Sequence, residues 1–424
     1  MIYDFGSFTV TDNTQEVAKA DYFLLTRQNQ KYLDFRPKNL LRPHELIQKL
    51  GLDALQIVGI TGTNGKTTTA AAIYSMLNDL GHPAALQGTR GFFVQDEKVG
   101  EKSHTTPPIA QTLHNLYEAK KRGVTHFVME VSSHAIAQER IEDLVFALKV
   151  FTNLSQDHLD YHKSMENYAA TKSAFFADET PKLINKEDPY IRYNPKGLRT
   201  YAVEEMATYK IAAYSMEHGI SALLQFGSET IDFHSPLLGL FNLYNITAAI
   251  GAVHMLTNAP LADIADVVEN FGGVRGRMEI VSYEPLVVID FAHTPDGMQK
   301  VFESFPGKNI VALFGAGGDR DRSKRPLMGQ AAAKYCKRIY LTSDNPRSED
   351  PKQIIADIRA GITNGTPVVE VVDRAEAIER ALEELREDEI LLVLGKGDEE
   401  YIETAGAKLP FSDRAYIESL LKSS

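Results

Sequence analysis

The segment Thr61-Gly62-Thr63-Asn64-Gly65-Lys66-Thr67-Thr68 combines the residue types that phosphate chemistry needs. Glycines let backbone N–H groups curl around an anion, and a lysine followed by hydroxyls adds a cation and a metal ligand. In that frame Lys66 reaches the terminal phosphates and the Thr67 hydroxyl binds Mg2+, while Gly62, Thr63, Asn64, Gly65 and Thr68 surround the phosphate chain. The pattern is a variant of GxxxxGK[ST], which wants glycine at Ile60; this chain has Gly59 and Gly62 instead. A plain glycine turn before a helix is the alternative. Phosphoryl transfer also calls for a carboxylate near the metal, and Glu130 stands at the end of the apolar run His126–Glu130.

The elements around these residues follow from hydrophobic patterning. Leu55–Ile60 reads as a buried strand and Thr67 to Leu80 as a helix ending at Gly81, which puts the glycine loop at a strand-to-helix turn, where a helix dipole favours anions. A further strand is expected at Leu148–Asn153, an antiparallel patch over Tyr209–Phe233 and a helix from about Leu243. A second α/β rhythm then runs through strands at Leu286–Asp290, Ile310–Phe314, Arg338–Thr342, Val368–Val372 and Ile390–Leu394. Three glycines within Gly272–Gly276 read as a hinge between the two halves.

The class expected is therefore α/β in three blocks: a short N-terminal block over 1–50, a central P-loop block over 51–275, and a doubly wound block over 276–424. A length of 424 residues fits two or three cores at about 100–200 residues each, and a block of about 50 residues must lean on its neighbour. Formal charge of −12 disfavours non-specific binding to nucleic acid or anionic membranes. One cysteine, Cys336, excludes intrachain disulfides, thiolate zinc clusters and CxxC redox pairs. The start Met1-Ile2-Tyr3-Asp4-Phe5 lacks a secretory pattern and no apolar run reaches a membrane span, so a cytoplasmic protein without membrane insertion is expected.

Nine motifs occur in order from about Leu55 to Phe411: TGTNGKTTT (Thr61–Thr69), HTTP (His104–Pro107), MEVSSHA (Met129–Ala135), FTNLSQDHLDYH (Phe151–His162), GLFNLYN (Gly239–Asn245), GRME (Gly276–Glu279), DFAHTP (Asp290–Pro295), DNPR (Asp344–Arg347) and GKGDE (Gly395–Glu399). By these the chain resembles the Mur ligases of peptidoglycan synthesis, most of all the MurE branch that adds the third stem residue. The resemblance implies an N-terminal UDP-binding domain, a central ATPase domain and a Rossmann-like C-terminal domain carrying the incoming amino acid. It also implies ATP and Mg2+ as cofactors. Amide formation from a carboxylate and an amine requires activation, and ATP provides it by phosphorylating the carboxylate to an acyl phosphate.

Within the resemblance, Lys66, Thr67 and Glu130 surround one Mg2+, and His158 matches the ligand of a second ion. Lys172 matches the family's carbamylated lysine, on a helix whose apolar face would be Met165, Tyr168, Phe175 and Phe176; outside the family context the alternative is an ordinary surface lysine. Asn242 and Asn245, three apart, share a helix face and either contact the nucleotide or cap the helix; the family match favours adenine contact for Asn245. Arg277, Asp290 and His293 match ATP contacts brought over by the third domain.

For UDP-N-acetylmuramoyl-L-alanyl-D-glutamate the matching residues are Thr105, Thr106, Ser132, Gln138 and Arg140, with Asn13, Gln28 and Asn29 in the N-terminal block. Arg140 has the geometry to grip a carboxylate or phosphate with two hydrogen bonds. DNPR looks like the meso-diaminopimelate form of its motif, since Arg347 suits the distal carboxylate that lysine lacks. Arg320, Asp344, Asn345, Gly395 and Glu399 match the remaining amino-acid contacts, and Asp398 stands where the family usually has histidine. A monomer is expected. Rival readings are a lysine-adding relative, a folylpolyglutamate synthetase and, from another class, a P-loop ATPase switch; the last leaves Lys172, Arg320, Arg347 and Glu399 without a task.

Overall fold

A computed structural model of the chain describes residues 1–33, 37–95, 97–100 and 104–423. Short strands Ile2–Asp4, Thr9–Thr11, Tyr22–Leu24 and Leu40–Leu41 form a four-stranded sheet, followed by the helix Pro43–Leu50. Among the described residues this block has no core of its own. Its apolar residues Tyr3, Phe5, Val10, Leu24, Leu46 and Ile47 merge into one cluster with Leu113, Leu116, Phe127 and Met129 of the following block, as its shortness requires.

The central sheet has eleven strands. Gln56–Thr61 lies between Phe146–Phe151 and His126–Glu130, parallel to both. Their nearly unbroken burial follows from covered faces: Lys66–Asp79 and Leu240–Thr257 pack on one side, Ile109–Lys121 and Phe175–Phe176 on the other. The antiparallel patch is present as Tyr209–Ser215, Ile220–Phe226 and Glu229–Ser235. The strand expected at Leu148–Asn153 instead spans Phe146–Phe151. Thr152 and Asn153 leave the regular ladder because their side chains turn to the glycine loop. Phe175 and Phe176 likewise fall beyond the helix Met165–Ala174, whose buried residues are Tyr168 and Lys172.

The C-terminal sheet runs in the order Glu279–Tyr283, Leu286–Asp290, Glu389–Leu394, Asn309–Phe314, Cys336–Leu341, Val368–Glu370, and every neighbouring pair after the first is parallel. The first, antiparallel strand was not among those expected. A separate hairpin, Tyr401–Thr404 with Ala407–Pro410, follows the last sheet strand. Gly276, in the connecting segment, lies so close to the 397–398 backbone that a Cβ there would stand 2.2 Å from the Asp398 nitrogen. Among the described residues no helix is long and apolar enough to cross a membrane.

Candidate active site

Carboxyl ends of strands in both large sheets open onto one cavity of about 830 Å3, the position where open α/β sheets bind ligands. The glycine loop forms its floor. Gly62 and Gly65 have φ of +152° and +82°, and a Cβ would come within 1.9 Å of Thr152 Oγ1 at the first and 2.3 Å of Asn245 Oδ1 at the second. Only glycine fits either place. Gly59, by contrast, sits inside its strand against the rings of Phe146 and Phe175; Gly62 is the loop residue. Gly65 starts the helix Lys66–Asp79 without a side-chain cap, so the first helical N–H groups face the cavity as anion donors.

Lys66 Nζ donates to the carbonyls of Gly62 and Thr63, each at 2.8 Å. Burial lowers its pKa, opposed by Glu130 and Asp157. Glu130, itself 2% exposed, accepts from Thr67 Oγ1 at 2.9 Å and from the Thr89 amide and hydroxyl at 2.8 and 3.1 Å. The expected carboxylate and hydroxyl therefore stand together at the loop's exit. Thr105, beside Thr89, also lines the cavity, as do Thr63, Asn64 and Thr68.

Residues 152–158 hold the loop from the neighbouring strand end, a role the sequence reading did not assign. Thr152 Oγ1 and Asn153 Nδ2 both donate to the Asn64 carbonyl, Asn153 Oδ1 accepts the Asn64 amide, and Thr63 Oγ1 accepts the Ser155 amide. Asp157 and His158 face the cavity with His293 and Lys324 from the other sheet. Burial would raise the Asp157 carboxyl, but His158, His293 and Lys324 draw it down to about 2. Burial, reinforced by His134 and Lys66, lowers His158 to about 4, leaving it a neutral imidazole near pH 7. Neither Asp157 nor Lys324 was singled out from the sequence; Asp157 adjoins a named histidine, whereas Lys324 sits in a charged stretch that resembles solvated surface.

Lys172 is not a surface lysine. It is 1% exposed, and its Nζ lies 2.9 Å from the Gly62 carbonyl and 3.3 Å from Thr61 Oγ1. Burial, then the nearby Lys66, hold its pKa well below the ordinary lysine value. It lies behind the loop, with Gly62, and does not line the cavity.

Neither asparagine caps the helix Leu240–Thr257, whose cap is Gly239. Asn242 donates to the Leu238 carbonyl and accepts from Asn245 Nδ2 at 3.0 Å; Asn245 reaches the cavity and Asn242 orients it. Tyr244 donates to Glu187 in the same wall. From the C-terminal sheet, Arg277 stacks 4.3 Å over the Phe291 ring, and buried Asp290 accepts the amides of Met278 and Ala292, each at 2.7 Å. Asp290 thus fixes the turns that present Arg277 and His293. Asn64 Nδ2 reaches across to Asp296 at 3.0 Å, so the cleft walls touch through the glycine loop.

Arg320, Asp344, Asn345, Arg347, Gly395 and Glu399 line the same cavity. Asn345 Nδ2 donates to Glu399 Oε2 at 2.7 Å, and fully buried Lys396, missed from the sequence, lies 3.2 Å from that oxygen. Arg347 has φ +51°, and its guanidinium donates to Glu403 and to the Gly318 carbonyl. Asp398 faces Arg90 of the central sheet at 3.7 Å.

The remaining substrate candidates lie outside the cavity lining. Thr106 Oγ1 donates to the Glu130 carbonyl and accepts the Ser132 amide, and Arg140 donates to the Thr106 carbonyl and to Gln138. Asn29 is engaged within its own block by Thr26, Asp12 and Leu24, and Asn13 accepts from Gln15. Gln28 is half-buried on the same loop. Arg27 joins that loop to Glu139 at 2.9 Å, which sets the N-terminal candidates beside the Gln138–Arg140 turn.

Around the cavity carboxylates outnumber lysines and arginines, yet among the described residues no three carboxylate, histidine or thiol side chains gather into a metal cage. That donor set fits a hard divalent ion completed by phosphate oxygens and water.

Residues 60–253 match the family model for the Mur ligase middle domain and residues 276–397 that for the Mur ligase, glutamate ligase domain. A Wolinella succinogenes protein named UDP-N-acetylmuramoyl-L-alanyl-D-glutamate--2,6-diaminopimelate ligase is 51% identical over 97% of this chain and 96% of its own length. A Helicobacter pylori protein of the same name is 49% identical over 96% and 94%. A solved structure of a ligase with that name superposes with a TM-score of 0.66 at 31% identity, covering 95% of this chain and 92% of that one. A Mycobacterium tuberculosis folylpolyglutamate synthase complexed with ADP and AMPPCP shares the fold at 18% identity, TM-score 0.66, over 82% and 91%. The chain belongs to the Mur ligase family.

Proposed function

We propose that this protein is an ATP-dependent amide ligase that joins meso-diaminopimelate to UDP-N-acetylmuramoyl-L-alanyl-D-glutamate, releasing ADP and phosphate in peptidoglycan precursor synthesis. The observation that carries this reading is that a phosphate loop with its acid, Lys66, Thr67 and Glu130, lines the same cavity as Arg320, Asn345, Arg347 and Glu399. A P-loop switch has no use for that second set.

In this reading the uncapped helix start and Lys66 hold the β- and γ-phosphates, while Arg277 and His293 approach them from the opposite wall. Asn245 and Asp290 position the adenosine. Thr67 and Glu130 would hold one Mg2+, His158 and carbamylated Lys172 a second, and the ions would supply the positive charge that lets two anions meet. The dipeptide carboxylate, oriented by Thr105, Thr106, Ser132, Gln138 and Arg140, attacks the γ-phosphorus and ADP leaves. The diaminopimelate amine then attacks the acyl carbon, loses a proton, and phosphate departs. Arg347 holds the distal carboxylate and Glu399 the distal ammonium. Asn13, Gln28 and Asn29 belong to the uridine end, supported by the Arg27 bridge to Glu139.

Domain limits of 1–50, 51–275 and 276–424 accompany this assignment, with a monomer working in the cytoplasm. Phosphate release measured with the UDP-dipeptide and each amine in turn tests the reading. Diaminopimelate-dependent release with a product heavier by one diaminopimelate less water is expected. Release regardless of amine, or with lysine alone, refutes it.

A further inference from the structure

Arg347 does not stand alone. Its backbone N–H donates to the Glu403 carbonyl at 3.0 Å, its carbonyl accepts the Ala405 amide at 2.8 Å, and an isolated bridge pairs it with Thr404. The hairpin Tyr401–Pro410 is thereby laid against the 345–347 turn. Asn345 Oδ1 accepts the Glu403 amide at 2.8 Å and Lys396 Nζ donates to the Tyr401 carbonyl at 2.5 Å, anchoring the same hairpin from below. From this position Glu403 Oε2 takes the Arg347 Nε–H at 3.1 Å, while the Gly318 carbonyl takes an Nη1 hydrogen at 2.6 Å.

A guanidinium carries five N–H donors in a fixed fork. With Nε and one Nη1 hydrogen taken, the free donors are all on the terminal nitrogens, and the plane of the fork is fixed at two points. We infer that Glu403, from the hairpin, is a positioning residue for the amino-acid site: it aims Arg347 so that its terminal nitrogens meet the carboxylate on the far end of the incoming diamino acid. Arg347 is only a quarter exposed and adopts a left-handed backbone, so an unrestrained side chain has other directions open within the cavity. The cost of Glu403 is partial neutralisation of the arginine; the return is a fixed end-on fork, which discriminates a carboxylate from an ammonium by geometry as well as charge.

This inference rests on the proposed diaminopimelate activity, and the test separates the two. Wild-type enzyme is assayed first; absence of diaminopimelate-dependent phosphate release overturns the activity itself. Given that release, Glu403→Ala is expected to raise the diaminopimelate KM about tenfold, with kcat and the ATP KM within about twofold. Glu403→Gln keeps an acceptor for Nε and is expected to stay within about threefold of wild type. In an Arg347→Ala background, Glu403→Ala adds no further loss, because the group it aims is gone. An unchanged KM in Glu403→Ala overturns the inference. So does a full additional loss on top of Arg347→Ala, or a Glu403→Gln enzyme as impaired as Glu403→Ala.

Discussion

Lys172 and Lys66 both donate to the Gly62 carbonyl, at 2.9 and 2.8 Å, which caps the separation of their nitrogens at about 6 Å. At an effective dielectric constant of about 20, two full charges at that distance repel by about 3 kcal/mol. Burial, the larger cause, lowers the Lys172 amine in the same direction. Both effects favour the free base, the form that attacks CO2: the N–C bond forms and the displaced N–H proton goes to solvent. A carbamate there would turn a repulsive neighbour of Lys66 into an attractive one.

Lys172→Ala tests this. Gly62 keeps its bond from Lys66, so no buried carbonyl is orphaned. The stability cost is then the loss of three methylenes, about 2.4 kcal/mol, lessened by removal of the buried amine. The protein stays folded in urea or thermal melts. Phosphate release, however, falls by about a thousandfold or more, because an anion is missing from the site where two negative substrates meet. Formate or acetate, entering the vacated space, restores part of it. In the wild type, 13C-bicarbonate gives a carbamate carbon signal that Lys172→Ala lacks. A folded Lys172→Ala enzyme with normal kcat, or a wild type that takes up no label, refutes the reasoning.

Arg347→Ala removes a charged grip worth about 1.5–3 kcal/mol, so the diaminopimelate KM rises about 10- to 150-fold while the ATP KM holds, measured by steady-state kinetics. Glu130→Gln keeps the hydrogen-bonding shape around Thr67 and Thr89 but loses the charge; kcat falls about a hundredfold with little change in melting temperature. Asp398→His restores the residue usual in the family and removes a partner 3.7 Å from Arg90; with the pair partly exposed, kcat/KM shifts by no more than about threefold. His126 is 4% exposed, its Nε2 has no hydrogen-bond partner among the described residues, and burial lowers it to about 4. The unfolded chain binds this proton first, near pH 6.5. Stability is therefore full above that value and declines as pH falls toward 4, by up to about 3 kcal/mol, and His126→Leu flattens that slope in urea titrations at pH 7.5, 5.5 and 4.5.

Parts of the site written contiguously in the chain were legible. Strand, glycine loop and helix start form one local unit, so the loop from Gly62 to Thr68 and the strand-end position of Glu130 followed from patterning alone. The buried strands were also legible, because both faces of each sheet are covered and apolar runs result. What patterning missed lies where tertiary folding joins distant segments. Thr152, Asn153 and Ser155 serve the loop some ninety residues earlier in the chain, and their pull on it moved a strand end from the expected position. Lys324 looked like one more charge in a polar stretch, and only the closure of the two sheets sets it opposite Asp157.

The same reasoning explains why the N-terminal block was the least readable. Its candidate residues spend their polar groups within the block, Asn29 on Thr26, Asp12 and Leu24, because a four-stranded sheet that shares its neighbour's core must be held by turns and by that neighbour. A residue that ties a loop and a residue that binds a ligand are then the same types at the same spacings. The Arg27 bridge to Glu139 places the loop beside the Gln138–Arg140 turn. Arg140 already spends three N–H donors on Gln138 and the Thr106 carbonyl. One hydrogen on each terminal nitrogen is left for an anionic group, and Gln138, by taking Nε and one Nη2 hydrogen, fixes the plane of the fork that offers them.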